Sequence, residues 1–393
     1  MKSYGYLFLL ILFDLVGVWF GVYEISISYN EAKIFYEESG FLHFIVNFIG
    51  KNELNLRLFF MSMHIASIIL FFEISKHHLK YEKDALFSTL IFVLLPGVYS
   101  ASVIIHNSGL LIFLILFFIY LHIKIKDKAF WLLPFYLFID GSFNTLYFGL
   151  IFYAMYQKNN LLLLSSLILF TLSMYIFPMP HLYEIPSGYF LAYFLLYMAI
   201  FSPLLFLYFL YALIRMIKLN KDRSIIYYIS FTSFVFTSIL SLRQQILIDS
   251  IAPYVIIAIP LMVKVFLHTY RVRLKRYRIR HKLFANLAIA VLLLNYVIIV
   301  FNKSWFGFLE RPQSHFAYQH YVAKELSHTL KFIGITNIHT NDKELQLRLR
   351  FYGIEDSDTI ILGENRDSKE DKNIQIVYYG NTIASYFVSK INK

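Results

Sequence analysis

The first 301 residues alternate between long apolar runs and short polar stretches. A helix needs about 20 apolar residues to cross the hydrocarbon core of a bilayer, and most of the runs approach that length. The pattern therefore predicts an α-helical polytopic membrane protein with about eleven transmembrane helices. Their expected positions are 4–22, 58–75, 85–103, 107–123, 129–141, 143–157, 160–177, 189–214, 224–241, 251–270 and 283–301.

The fifth and sixth runs, 129–141 and 143–157, are shorter than most of the others. Asp140-Gly141-Ser142 lies between them, and these residue types are typical of a tight turn. The two runs are therefore expected to form a hairpin of short spans, or to be kinked or partly re-entrant.

The polar stretch 24–57 follows the first span and contains two short predicted helices. Apolar residues recur at helical spacing from Phe41 to Ile49, which is typical of an amphipathic helix lying in the membrane interface. A helix is also predicted from Asn30 to Glu38, with Asn30 as its N-cap. Together the two helices are expected to form a shelf at the outer membrane–water boundary.

Residues 302–393 have a different pattern, with shorter apolar runs and nearly equal numbers of acidic and basic residues. This segment is expected to be a small, soluble α/β domain that follows a transmembrane domain at 1–301, to which the loop 24–57 belongs. Its predicted helices are Phe316–Phe332, Lys343–Phe351 and Asn381–Lys390, and its predicted strands are Thr336–His339, Thr359–Leu362 and Ile374–Tyr378.

The composition excludes a soluble globular protein and several kinds of chemistry. Hydrophobic residues make up 58% of the chain and charged residues 16%, whereas globular proteins are roughly half apolar and a quarter charged. The chain has no cysteine, which excludes disulfides, thiolate metal sites and thiol catalysis. No cofactor is expected, and a divalent metal is possible but not indicated, because the pairs His77-His78 and His106-Asn107 lack a second cluster at metal spacing.

Lysine and arginine are concentrated at one set of span ends, with twenty there and four at the opposite ends before residue 302. The positive-inside rule therefore predicts a cytoplasmic N-terminus. The first span lacks a small-residue cleavage site, so we expect a retained anchor. An odd number of spans then places the loop 24–57 and the domain 302–393 outside. The basic run Arg271–Lys282 lies between two spans, so membrane lipids and not nucleic acid are its expected partners.

Five stretches, taken in chain order, resemble a known family. They are Asn30-Glu31-Ala32-Lys33-Ile34-Phe35-Tyr36; Gly50–Arg57; Pro96 with His106-Asn107; Phe201–Phe206; and Ser241-Leu242-Arg243 followed by Ala252-Pro253-Tyr254 and Pro260. Their order and predicted side of the membrane resemble the GT-C glycosyltransferases. Within that superfamily the pattern is similar to a bacterial branch, which is related to the protein O-mannosyltransferases and to the aminoarabinose transferases of lipid A. This branch is glycosyltransferase family 39-like.

The resemblance implies transfer of a sugar from a polyprenyl-phosphate donor to a lipid, glycan or protein acceptor. The reaction would take place at the outer face of a bacterial inner membrane, with the C-terminal domain periplasmic. Glu31 or Glu24 would serve the acceptor hydroxyl as a carboxylate base or orienter, and Asn30 occupies the family's catalytic position. Arg243 and Arg57 would bind the donor phosphate. The expected pocket-lining residues are Asn107, His181, Glu184 and Tyr254.

Two departures from the family pattern, the amides Asn30 and Asn107 at positions that are acidic in the family, leave an alternative open. The family usually has Asp where this chain has Asn30, and an amide cannot accept a proton at working pH. The alternative is a catalytically inactive GT-C-like scaffold for an envelope assembly. Glu31 would then stabilise the first turn of its helix, Arg57 would pair with Glu53 at i,i+4 spacing, and Arg243 would anchor a helix end.

A third class, a lipid-sugar transporter, is the least compatible with the sequence. Such a protein needs charged groups deep in several spans, and here only Asp14 and Glu73 are of that kind. A structural partner is expected for Asp14. The sequence indicates neither the sugar, nor the acceptor, nor any protein partner.

Overall fold

The computed structural model describes residues 2–38, 40–177, 188–219, 224–357, 360–363 and 372–390. The chain forms two compact units. The first contains Met1–Val18 and Leu58–Val297, and the second contains Trp19–Arg57 and Ile298–Lys393. The stretch 24–57 therefore belongs to the same unit as the C-terminal segment, whereas the sequence had assigned it to the transmembrane domain.

Helices account for most of the chain up to residue 300. They are α1 (Lys2–Glu24), α2 (Tyr29–Tyr36), α3 (Phe41–Ile49), α4 (Glu53–His78), α5 (Glu82–Leu94), α6 (Pro96–Val103), α7 (Asn107–Ile125), α8 (Leu133–Tyr136), α9 (Asn144–Gln157), α10 (Asn160–Ile176), α11 (Phe190–Phe201), α12 (Pro203–Leu219), α13 (Ile225–Leu240), α14 (Ile248–Ile256), α15 (Ile259–Val272) and α16 (Lys275–Val300). Short 3₁₀ helices at Lys126–Leu132 and Gly141–Phe143 flank α8.

Five stretches in the described residues are long and apolar enough to cross a membrane: Ser3–Glu24, Glu53–His78, Asn107–Tyr136, Ile248–Val272 and Lys275–Val300. Two bent helix pairs raise the number to seven if each pair is one span. The protein is thus helical, with apolar helices suited to a membrane. The predicted eleven spans are not confirmed, because several of the predicted segments are broken or shorter than a full crossing.

Proline breaks two of the predicted spans. The segment predicted at 189–214 bends by 105° between α11 and α12, where Ser202 has a φ of 76° and Pro203 begins the next helix. The segment predicted at 85–103 bends by 63° between α5 and α6, at Pro96. Proline disfavours a helical conformation in the residue before it and provides no N–H for the helix, so a new helix begins at each proline.

The segment 126–140 turns back along α7 without forming a long helix. Lys126 has a φ of 52° and ends α7. The Tyr136 hydroxyl donates a 2.7 Å hydrogen bond to the carbonyl of Leu114, in the middle of α7. The Asn107 amide, at the beginning of α7, donates one of 2.9 Å to Asp140 Oδ2. The 19 residues of α7 rise about 28 Å, and the chain returns over that distance through a 3₁₀ helix and α8.

Asp14 has the structural partner that was expected for it. Its Oδ2 lies 2.7 Å from His64 Nε2, and both side chains are buried in the first unit. The partner is on α4, and a hydrogen-bonded pair of this kind removes much of the cost of burying a carboxylate.

The C-terminal part of the second unit mixes helices with a sheet. After 3₁₀ helices at Asn302–Gly307, Pro312–Ser314 and Tyr318–His320 come α17 (Ala323–Phe332), β1 (His339–Thr340), α18 (Lys343–Phe351), β2 (Ile360–Gly363), β3 (Lys372–Tyr378) and β4 (Asn381–Lys390). The strand order is β1-β2-β4-β3, with β1 parallel to β2 and the other pairs antiparallel. Leu326 and Leu330 of α17 and Leu345 and Leu349 of α18 are buried.

The closing helix predicted at Asn381–Lys390 is wrong, because this segment is strand β4. It pairs with β2 on one side and β3 on the other. From Ala384 to Val388 buried and half-buried residues alternate, which is the period of a strand. Tyr379 and Gly380 both have positive φ and form the two-residue turn that joins β3 to β4.

The first helix of the stretch 24–57 begins earlier than predicted. Ser28, and not Asn30, is the N-cap of α2: its hydroxyl accepts a 3.3 Å hydrogen bond from the Glu31 N–H. Glu31 Oε2 in turn accepts one of 2.7 Å from the Ser28 N–H. This reciprocal arrangement is a capping box, whose Ser-x-x-Glu spacing is visible in the sequence. The prediction of α3 at Phe41–Ile49 is confirmed.

Candidate functional site

A buried cluster of charged residues lies in the second unit, at the beginning of α4. Arg57 is fully buried; its Nη1 lies 3.5 Å from Glu31 Oε1 and its Nη2 lies 3.2 Å from Glu53 Oε1. Glu53 Oε2 lies 3.3 Å from Lys324 Nζ and accepts a 3.1 Å hydrogen bond from the Tyr352 hydroxyl. We refer to these five residues as the Arg57 cluster.

The charges of the Arg57 cluster balance, with two carboxylates against two cations. Burial raises the pKa of the Tyr352 hydroxyl, and the neighbouring Glu53 carboxylate raises it further, so this hydroxyl stays protonated and donates to Glu53. The same hydroxyl accepts a 2.9 Å hydrogen bond from the Ile27 N–H. Buried charges are tolerated when they are paired and hydrogen-bonded, which is the situation here.

Within this cluster Glu31 and Arg57 contact each other and neighbouring groups of the protein. Glu31 is 1% exposed; one of its oxygens faces Arg57 and the other caps α2. A general base must come within hydrogen-bond distance of the proton that it removes, and this enclosed carboxylate meets Arg57 and the backbone instead. Arg57 pairs with Glu53 as the i,i+4 spacing predicted. Asn30 is exposed on α2, beside Glu31 in the sequence.

Glu24, the other predicted acidic residue, lies in a more open part of the second unit. It is half-buried at the end of α1, and its Oε1 lies 3.9 Å from Lys303 Nζ. That ammonium group lies 4.8 Å from the centre of the Tyr378 ring. Burial raises the pKa of the Tyr378 hydroxyl, with Glu325 and Glu24 contributing, and the hydroxyl donates a 2.9 Å hydrogen bond to the carbonyl of Tyr321.

An accessible histidine–carboxylate pair lies in the first unit, where α7 and α14 begin. His106 Nε2 lies 4.0 Å from Asp249 Oδ2, and the two side chains are 32% and 61% exposed. His106 Nδ1 accepts a 3.3 Å hydrogen bond from the Ser108 N–H and thereby caps α7. Since Nδ1 is an acceptor, neutral His106 bears its proton on Nε2, facing Asp249. Asp249 is therefore a solvent-accessible carboxylate beside an N–H donor.

The other predicted residues of the first unit lie around this pair or on the same connection. Asn107 follows His106, and its amide is bonded to Asp140, whose Oδ1 accepts a 2.7 Å hydrogen bond from the Ser142 N–H. Arg243 is exposed on the connection between α13 and α14. Tyr254 is fully buried in α14, and its hydroxyl has no hydrogen-bond partner among the described residues.

The predicted residues are thus divided between the two units. Asn107, Arg243 and Tyr254 belong to the first unit, whereas Glu24, Asn30, Glu31 and Arg57 belong to the second. His181 and Glu184 lie outside the described residues.

Sequence reasoning missed Asp249 and His106 as a pair. Asp249 is the first acidic residue after Arg243 and lies in the first turn of α14, and that position was the available signal. The residues were not linked because His106 precedes Asp249 by more than 140 positions in the chain. No periodic pattern in the sequence links residues that are so far apart in the chain.

In the part of the chain that the structure describes, no three histidine, aspartate or glutamate side chains are close enough together to hold a metal ion. A comparison with known protein families finds no family model that matches the chain, and no curated protein matches it by sequence.

Proposed function

We propose that this protein is a polytopic membrane glycosyltransferase that moves a sugar from a polyprenyl-phosphate donor to a hydroxyl of a lipid, glycan or protein acceptor. The observation that supports the proposal best is the accessible Asp249 carboxylate beside His106, in the first turn of α14, which follows the connection that contains Arg243. A carboxylate can take a proton from an acceptor hydroxyl, and an arginine suits a lipid phosphate.

In the proposed reaction the acceptor oxygen bonds to the anomeric carbon of the sugar. The bond between that carbon and the phosphate oxygen breaks, and polyprenyl phosphate leaves. Asp249 takes the acceptor proton, His106 lies beside it with Nε2 4.0 Å from Asp249 Oδ2, and Arg243 stabilises the negative charge on the departing phosphate. Glu24, half-buried beside Lys303, is the second carboxylate to test.

The proposed topology has eleven crossings, with the N-terminus cytoplasmic and the second unit periplasmic at a bacterial inner membrane. Twenty basic residues at one set of helix ends against four at the other support this orientation. The return of 126–140 along α7 supports an irregular fifth crossing. Non-helical backbone at membrane depth is tolerated where it is covered by protein, and Tyr136 on this segment is buried.

The test is sugar transfer by the purified full-length protein in nanodiscs, with a panel of radiolabelled polyprenyl-phosphate sugars. We expect transfer by the native chain and a loss of about 10²- to 10⁴-fold in the rate for Asp249→Asn. The matched control is Asp356→Asn, because Asp356 forms another accessible pair, with His339 at 2.9 Å. Full activity of Asp249→Asn would remove this pair from the mechanism, and absence of transfer with every donor would refute the function.

The second candidate function is an inactive scaffold for an envelope assembly. It is favoured by the Arg57 cluster, which neutralises Glu31, and by the amide of Asn30 at the family's acidic position. A scaffold has no need to bind the donor. Titration of the purified protein with a polyprenyl-phosphate sugar, monitored by the change in its melting temperature, distinguishes the enzyme from the scaffold. Saturable stabilisation supports the enzyme, and no stabilisation supports the scaffold.

A further inference from the structure

A groove in the first unit is apolar along its length and cationic at one end. Its volume is about 490 Å³, and it lies among helices α5, α12, α15 and α16. Leucine, phenylalanine, methionine, isoleucine and alanine side chains form most of its wall. Leu204, Leu207 and Leu287 of this wall are exposed, so the groove opens onto the apolar surface of the unit. Its size is typical of ligand sites.

The polar residues of the groove lie on the first half of α12, just after the end of α15 and in the first two turns of α16. They are Tyr208, Tyr211, Arg273 and His281, and no carboxylate is among the described residues of the wall. The Tyr211 hydroxyl accepts a hydrogen bond from Arg215, which adds a second cation close to the groove. The nearby acidic residue Asp84 is already occupied, since both of its oxygens lie 2.7 Å from Arg271 Nη2.

Two polar atoms in this region are buried without a partner. They are Tyr208 Oη and His281 Nε2, and neither has a hydrogen bond to any described residue. The two side chains contact the same aromatic residue: the Phe266 ring centre lies 6.0 Å from that of Tyr208 and 4.8 Å from that of His281. A buried polar atom without a partner is destabilising, so a ligand that forms hydrogen bonds with both atoms binds more tightly.

We propose that this groove binds an anionic phospholipid from the leaflet that contains the basic helix ends. One acyl chain lies along the leucine and phenylalanine wall. The phosphodiester oxygens contact Arg273 and accept a hydrogen bond from the Tyr208 hydroxyl, and a headgroup hydroxyl, such as that of phosphatidylglycerol, donates one to His281 Nε2. Arginine and phosphate form strong charge-assisted hydrogen bonds. The excess of positive charge, with no carboxylate among the wall residues that the structure describes, selects a headgroup with net negative charge over a zwitterionic one.

Native mass spectrometry of the full-length protein, released from detergent after delipidation and titrated with lipid, tests the proposal. We expect phosphatidylglycerol to bind at least tenfold more tightly than phosphatidylcholine. Arg273→Ala and the double variant Tyr208→Phe/His281→Phe should each weaken phosphatidylglycerol binding about tenfold. The matched control is Arg276→Ala, an exposed arginine of α16 that is not part of the groove wall.

Three outcomes would overturn the proposal. Equal affinity for the two lipids would show that only the acyl chain is recognised. Unchanged binding by Arg273→Ala with normal folding would place the headgroup elsewhere. Displacement of phosphatidylglycerol by a polyprenyl phosphate at a much lower concentration would identify that lipid as the occupant.

Discussion

Removal of the Arg57 side chain is the sharpest test of how the second unit is stabilised. In Arg57→Ala the Glu31 carboxylate stays buried and keeps its hydrogen bond from the Ser28 N–H, but it loses the guanidinium that lies 3.5 Å away. Glu53 is affected less, because Lys324 Nζ lies 3.3 Å from its Oε2 and the Tyr352 hydroxyl is bonded to it. The main cost of the substitution is therefore an uncompensated charge on Glu31.

Breaking a buried ion pair by removing one partner costs about 3–5 kcal/mol. Domains are stable by only about 5–15 kcal/mol, so Arg57→Ala should remove a large part of the stability of the second unit. In the double variant Glu31→Gln/Arg57→Ala no charge is stranded on residue 31. We expect it to be more stable than Arg57→Ala alone by about 1–3 kcal/mol, a coupling typical of residues in contact.

Urea titration with pulse proteolysis of the full-length protein in nanodiscs measures the free energy of unfolding of the second unit. The matched control is Glu37→Gln, which removes a carboxylate from an exposed position six residues after Glu31 and should change stability by less than about 0.5 kcal/mol. The reasoning fails if Arg57→Ala costs less than 1 kcal/mol, or if Glu31→Gln does not reduce that cost.

Two further predictions concern acid stability and topology. Burial lowers the pKa of His320, so its protonation favours the unfolded chain; stability of the second unit should be complete above the ordinary histidine pKa of about 6.5 and fall as the pH decreases below it. Urea titrations from pH 8 to pH 5 should show a smaller decrease for His320→Gln, and an equal decrease would contradict the assignment. Since the chain has no cysteine, Glu310→Cys should react with an impermeant maleimide in intact cells and Lys83→Cys only after permeabilisation; the reverse pattern would refute the proposed orientation.

Local sequence patterns were sufficient to predict the elements whose conformation depends on residues nearby in the chain. The helices at Phe41–Ile49 and Lys343–Phe351 occur at their predicted positions, because their apolar residues recur with the helical period. The strands near Ile360–Gly363 and Lys372–Tyr378 also match. The helix predicted at Asn381–Lys390 was wrong, because a short apolar segment fits either the helical or the strand period. Its pairing with two neighbouring strands made it a strand.

Only some of the contacts in the candidate sites could be predicted from the sequence. The i,i+4 pair of Glu53 and Arg57 could be predicted because helix geometry fixes it. The contact between Tyr352 and Glu53 could not, since the two residues are separated by 299 positions. The same applies to His106 and Asp249, so the carboxylate favoured in the proposed mechanism differs from the one that the family resemblance implied.

The sequence by itself determined that the chain is rich in apolar helices, where basic residues are concentrated, and which segments can be amphipathic, because these properties depend on composition and on short-range periodicity. Only the tertiary structure decided which charges are neutralised. Glu31 is buried and paired with Arg57, whereas the Asp249 carboxylate is accessible to solvent. The physical reason is that burial and ion pairing depend on residues brought together from distant parts of the chain, and no local pattern records those contacts.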